Sequence, residues 1–218
     1  IEALGLRIPL TVRDVVFRLN LVTLSDGGDF EEKVMCDHSS DKITTPEAAE
    51  LISALAAQFG SDSVEIYPGI SYRHVFILKK PDFNGELTAP HDILGRKIAD
   101  YLPKGDMSGD FLAMMKKSYE ILSSHPVNQK RLQRGLRPAN CLWLWGQGKK
   151  PDYRPFSEVY GIKKGMMITA VPLIKGLAAG LGLDSPEIPG ATGDFFTNYS
   201  GKAEAAAKAL RDGYEFIF

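Results

Sequence analysis

The sequence predicts an α/β fold, a mixed sheet flanked by helices. Three observations lead there. The stretch "DVVFRLNLVTL" alternates apolar and polar positions and is rich in β-branched residues, as a half-buried strand is. "TTPEAAELISALAAQFG" carries a complete set of helix start and stop signals. Short apolar runs and helical segments then alternate to the end of the chain.

Taken in order, the first strand is expected over Asp14–Leu24. In the helix that follows, Thr45 is the expected N-cap, Pro46 suits the first helical position, Glu47 meets the positive end and Gly60 stops the helix. "SVEIYPG" and "YRHVFIL" read as two short antiparallel strands joined at Pro68-Gly69. "FLAMMKKSYEILSSH" spaces Leu112, Met115, Tyr119 and Leu122 along one helical face. "CLWLWG" and "GMMITAV" are short strands, and a helix around Leu173 to Ala179 ends at Gly180 and Gly182. "GKAEAAAKALRDG" is alanine-rich and strongly helix-forming, and it leads into a last strand in "YEFIF". The most linker-like stretch, "LDSPEIPGATG", sets the expected boundary between a domain over 1–187 and a strand–helix–strand piece over 188–218. The chain opens on Ile1 and stops within an apolar, aromatic run, so it reads as an excised piece of a longer polypeptide. An orphaned last strand would offer its edge to a second copy, giving a homodimer.

Composition narrows the function classes. The net charge of −1 over 218 residues argues against a general nucleic-acid binder. No apolar run approaches the roughly 18 residues needed to span a bilayer, and no signal peptide is visible, so a cytoplasmic protein with no membrane partner is expected. Cys36 and Cys141 lack a C-x-x-C spacing and read as reduced thiols.

The chemistry-bearing segment runs from His125 to Arg154, with seven Lys or Arg residues against the single acid Asp152, an excess of +6. A small, highly charged anion is the ligand that such a concentration favours. His125, Asn128 and Arg131 are spaced to share one side of a helical turn, and Asn140 and Gln147 bracket a strand holding Trp143 and Trp145, read as core or pocket wall. Gly146 and Gly148 are expected just after that strand, where open α/β sheets place ligands. Arg73 and His74 open a strand, and His91-Asp92 follow a proline in a loop. "GATGDFFTNYSGK" fails the phosphate-loop pattern, because seven residues separate Gly193 from Gly201 and Lys202 is followed by Ala203. The histidines at 38, 74, 91 and 125 form no metal-ligand motif, and no nucleophile motif such as G-x-S-x-G appears.

"SYRHVFIL", "PHDILG", "HPVNQKR", "PANCLWLWGQGKKP", "ITAVPLIKG" and "GATGDFFTNYSGKAEAA" occur in this order. Together they resemble the cofactor-independent (2,3-bisphosphoglycerate-independent) phosphoglycerate mutases of the archaeal type. The resemblance runs from "DVVFRLN" to the end of the chain. It implies the alkaline phosphatase superfamily, with an inserted domain interrupting a metal-binding core. It also implies interconversion of 3- and 2-phosphoglycerate through a phosphoserine. The serine and the divalent ions (Mn, Mg or Zn) would lie outside this chain, which would bind none itself and would be inactive alone. The chain's implied partners are phosphoglycerate and the remainder of its own core domain. The implied substrate contacts are Arg73, His74, His91, Asp92, Asn128, Arg131, Asn140, Gln147 and Lys175, with Arg18 and Asn20 beside them. Other readings of the same residues are a homoserine kinase-like enzyme or a non-catalytic module binding phosphorylated metabolites.

Overall fold

The computed structural model describes residues 1–80 and 82–218. They form two units, a continuous one over Val12–Lys149 and a discontinuous one made of Ile1–Thr11 with Lys150–Phe218. The expected boundary at 187/188 falls inside the second unit. Backbone pairing explains why: Met167 N–H donates to Asp184 O, while Ile168 N–H donates to Phe218 O, so residues on both sides of the 187/188 boundary are tied to the same segment.

A single turn, α1 (Glu2–Gly5), belongs to the discontinuous unit. The continuous unit then runs β1 (Val15–Leu24), β2 (Met35–Asp37), α2 (Thr45–Phe59), β3 (Val64–Ile70), β4 (Arg73–Leu78), β5 (Gly85–Glu86), β6 (Lys104–Gly105), α3 (Ser108–Ser123), α4 (Pro126–Gln133) and β7 (Cys141–Lys149). Strand β1 is central. It pairs antiparallel with β4, β7 and β2, and β3 flanks β4. The predicted α/β class is therefore correct, with a main sheet that is antiparallel throughout these pairings.

The alternation in β1 does what its period implies. Phe17 lies opposite Phe76, Leu19 opposite Leu144 and Leu21 opposite Leu142, and all three β1 residues are fully buried. They join one core with Leu51, Leu55, Phe111 and Met115 of α2 and α3. Phe17 meets Phe76, Phe83 and Phe111 edge-on at centroid distances of 5.6, 5.1 and 5.5 Å. Each such side chain contributes roughly 1.5–3 kcal/mol through burial. The intervening residues Arg18 and Asn20 lie opposite Trp145 and Trp143.

Two local expectations shift because tertiary contacts compete for the same groups. Thr44, not Thr45, caps α2 in a capping box with Glu47, because the Thr45 hydroxyl already accepts from Ser71 N–H. The β3–β4 connection turns at Ser71-Tyr72, with Ser71 left-handed at φ 57°. Pro68-Gly69 instead lie in β3, where the register shifts between Tyr67 and Ile70. Gly69 is required there, since a Cβ would sit 2.2 Å from Arg73 O. Strand β7 continues to Lys149, so Gly146 and Gly148 are within it rather than beyond it.

The discontinuous unit continues with α5 (Phe156–Tyr160), β8 (Gly165–Met166), α6 (Pro172–Leu181), α7 (Tyr199–Arg211) and β9 (Phe216–Ile217). The strands expected over "GMMITAV" and "YEFIF" reduce to the short parallel pair β8–β9. Strand β8 cannot extend far, because Thr169 accepts from Val171 N–H and Pro172 opens α6. The stretch that mimics a phosphate loop begins a helix: the Asn198 side chain accepts from Gly201 N–H at 2.9 Å and caps α7. Met167, Ala178 and Leu183 form this unit's small core. No helix among the described residues is long and apolar enough to cross a membrane.

Candidate functional site

The conspicuous basic segment turns inward. His125 caps α4 by accepting from Val127 N–H, and Arg131, only 1% exposed, follows on that helix. Its guanidinium donates to Arg137 O at 3.0 Å, Glu47 Oε2 at 2.8 Å and Ser40 O at 2.6 Å. Glu47 also accepts from Arg134 at 3.1 Å. Burial works against the Glu47 carboxylate, yet the Thr44 hydroxyl and amide together with Arg131 hold its carboxyl below the usual range. Arg137 bridges Asp37 and Asp41 at 3.3 and 3.6 Å. The anions these arginines meet are thus carboxylates of the same chain.

Four other expected contacts are framework. Asn128 is fully buried and donates to Leu122 O and Ala139 O while accepting from Ala139 N–H. Asn140 pairs with both Leu24 N–H and Leu24 O, as an extra rung at the end of β1. His74 is 2% exposed, and its Nδ1 accepts from Gly69 N–H at the β3 irregularity. Burial pushes its pKa down to about 3, so it is neutral. Asn20, equally buried, accepts from Trp145 Nε1–H at 3.0 Å and donates to His38 O at 3.1 Å. In this chain Arg131, Asn128, Asn140, His74 and Asn20 are thus buried and spend polar atoms on internal hydrogen bonds.

Of the remaining expected contacts, Arg18 and His91 meet at Trp145. The register of β1 and β7 sets Arg18 opposite Trp145, and its guanidinium carbon stands 4.2 Å from the indole centre. Gly146 follows with φ 61°, and a Cβ there would lie 3.3 Å from Arg18 Cδ. A 3-10 turn, Pro90–Ile93, is anchored by its buried ends and exposes His91 and Asp92. The His91 ring meets Trp145 at 5.0 Å, and its Nε2 lies 3.7 Å from Asp92 Oδ1. His38 stands 6.0 Å from His91 and 5.6 Å from Tyr72, both edge-on. Arg73 lies over Tyr72 at 5.0 Å, and it pairs across the sheet with Asn20. Two guanidinium groups, two imidazoles and an indole on one patch suit the recognition of phosphate and carboxylate oxygens.

Gln147 is exposed and donates to Gly85 O. Lys175 lies in the discontinuous unit, ion-paired with Glu187 at 2.5 Å, beside a cavity of about 140 Å³ that Arg7, Asp184 and Ser185 also line. His38 and Tyr72 were not expected at the site. His38 sits in "CDHSSDK", where Ser40, Asp41 and Lys42 are all left-handed, with φ of 50°, 53° and 52°. Two aspartates and two serines around one histidine are turn-forming chemistry and were the available signal. The resemblance also implies divalent cations. Among the described residues no three His, Cys, Asp or Glu side chains come together to hold one, so the donor set here does not fit a metal.

A family model described as 2,3-bisphosphoglycerate-independent phosphoglycerate mutase matches residues 1–128. The chain is 45% identical over 213 residues to the protein of that name from Methanosarcina barkeri, covering 97% of this chain and 52% of the relative. It is 38% identical over 218 residues to the probable enzyme of that name from Geobacter sulfurreducens, covering all of this chain and 54% of the relative. Among solved structures, the cofactor-independent phosphoglycerate mutase of Thermoplasma acidophilum superposes with a TM-score of 0.58 at 27% identity, over 99% of this chain and 57% of that one. A protein from Pyrococcus horikoshii does so with a TM-score of 0.69 at 26% identity, over 100% and 49%. The chain spans about half the length of the curated relatives it matches. A match over the first 128 of 218 residues, with the likeness to relatives running through the rest, means that this chain belongs to the 2,3-bisphosphoglycerate-independent phosphoglycerate mutase family.

Proposed function

We propose that this chain is the substrate-recognising portion of a mutase that interconverts 3- and 2-phosphoglycerate, and that the Trp145 patch grips the phosphoglycerate while it reorients. The observation that carries the reading is the convergence of Arg18 and His91 on one indole, with His38 edge-on to His91 and Tyr72 and Arg73 close by on Tyr72. A phosphoglycerate presents a phosphate, a carboxylate and a hydroxyl. Guanidinium forks match the first two, and imidazole with the Asp92 carboxylate can meet the third. The division into units supports an insertion: Val12–Lys149 is continuous and interrupts a unit built from the chain on both its sides. In this reading the phosphoserine and the metal ions belong to polypeptide outside these 218 residues, and this chain alone turns nothing over.

The test uses the full-length polypeptide and assays 2-phosphoglycerate formed from 3-phosphoglycerate. His91→Gln and Arg73→Ala should each raise KM about tenfold, as the loss of one charge-assisted contact would. Full activity with both KM values unmoved would remove the patch from the substrate site.

A further inference from the structure

We propose that Arg131 and Arg137 are positioning residues that hold the Ser40-Asp41-Lys42 turn left-handed, so that His38 stands against His91 and Tyr72 in the recognition patch. The role rests on the proposed substrate site; the bracing itself is in the geometry.

Three consecutive non-glycine residues with positive φ are an unfavourable backbone, kept only where the surroundings over-determine it. Here the surroundings do so from several sides. The Asp37 carboxylate accepts from Ser39 N–H and Asp41 N–H, both at 2.7 Å, and from the Ser39 hydroxyl at 2.8 Å. It therefore fills the concavity of backbone donors from inside, as an external anion would fill a backbone nest. Burial disfavours that charge, but the two amides and the hydroxyl outweigh it and hold the carboxyl below its ordinary range. Arg131 pulls Ser40 O to the α4 side, and the Ser40 hydroxyl is locked between Thr23 and Leu21 O. Arg137 then ties the acids on either side of His38: its guanidinium reaches Asp37 and Asp41, and its own N–H donates to Asp41 Oδ2 at 2.7 Å. On the sheet side, Asn20 fixes the His38 carbonyl with the same amide that orients Trp145.

A solvated basic face would not be built this way. Arg131 is buried and each of its three guanidinium nitrogens donates a hydrogen bond, with the carboxylate of Glu47 as its counter-ion. The guanidinium groups act on the patch through the loop and never touch the ligand.

The experiment has two arms. His38 lies edge-on to two rings, so its ring-proton resonances depend on its pose. In this chain, Arg137→Gln should move them toward the values of an unstructured histidine, and Arg137→Lys should restore at least half of the displacement. Lys130→Gln, which removes an exposed cation nearby, should leave them in place, and the His125 resonances should stay put in all three. Arg137 is more than half exposed, so this substitution spares the core. In the full-length mutase, Arg137→Gln should raise KM about fivefold while kcat falls less than about threefold, with Arg137→Lys recovering most of the KM. Unmoved His38 resonances in Arg137→Gln overturn the bracing. A KM raised by His38→Ala but not by Arg137→Gln overturns the positioning role and leaves the site standing. A KM indifferent to both removes the site, and the role with it.

Discussion

His74 makes the stability of the Val12–Lys149 unit depend on pH in a calculable way. Its folded pKa of about 3 compares with an ordinary value near 6.5, because burial penalises the imidazolium. Between those values the unfolded chain takes up a proton that the folded chain refuses. The stability tied to this group is therefore intact above about pH 6.5 and drains away as the pH falls toward 3. At pH 5 the unfolded histidine is protonated by about 1.5 pH units beyond its midpoint, which amounts to about 2 kcal/mol lost relative to pH 7.5; the full difference is on the order of 5 kcal/mol. The Asp37 and Glu47 carboxyls, both held below their usual range, act in the same direction but only at lower pH, below about 4.5. Trp143 and Trp145 are the chain's two tryptophans and both lie in this unit, so their fluorescence follows its unfolding in urea. With a slope of about 1–3 kcal/mol per molar, the midpoint should fall by roughly 1 M between pH 7.5 and pH 5. His74→Asn keeps an acceptor for Gly69 N–H and cannot titrate, so its midpoint should fall by clearly less. Equal falls in the two proteins would refute the argument.

Glu47→Ala should cost about 3–5 kcal/mol, because it strands the buried Arg131 guanidinium, against about 1 kcal/mol for Thr44→Ala, which removes only the cap; urea midpoints compare them. Asn140→Leu leaves Leu24 N–H and O without their partner and should cost about 3 kcal/mol in the same assay. Burial pushes the Cys141 thiol up to about 12, while Cys36 is exposed, so a thiol reagent at pH 8 should label Cys36 in the native chain and reach Cys141 only in denaturant.

The elements legible in the sequence are those whose cause is local. The β1 alternation and the run of signals around α2 depend on periods of two and 3.6 residues and on groups within one turn. The errors arise where a distant residue competes. Ser71 takes the Thr45 hydroxyl, 26 positions away, and moves the cap by one residue. Asn140 reads as an amide donor waiting at a strand end, yet its partner is Leu24, 116 positions away. His38 and Tyr72 reach the site on loops whose shape depends on ties made elsewhere, such as Ser71 to Ile43 O, so no spacing rule could assemble them.

The basic segment carries the same lesson into electrostatics. Arg131, Arg134 and Arg137 meet Glu47, Asp37 and Asp41, three cations against three acids from 84 to 100 positions upstream in the bonded pairs, and Lys149 meets Asp82. Most of the local excess is thereby cancelled at short range, and a ligand a Debye length away, about 10 Å at 0.1 M salt, feels little of it. Charge density along the chain here coincides with ion pairs that restrain a left-handed loop. The cations of the proposed site are dispersed, at 18 and 73, and are brought to one face by strand register. Neutralising Lys130 should consequently leave phosphoglycerate affinity unchanged, whereas neutralising Arg73, an equal change in net charge, should weaken it.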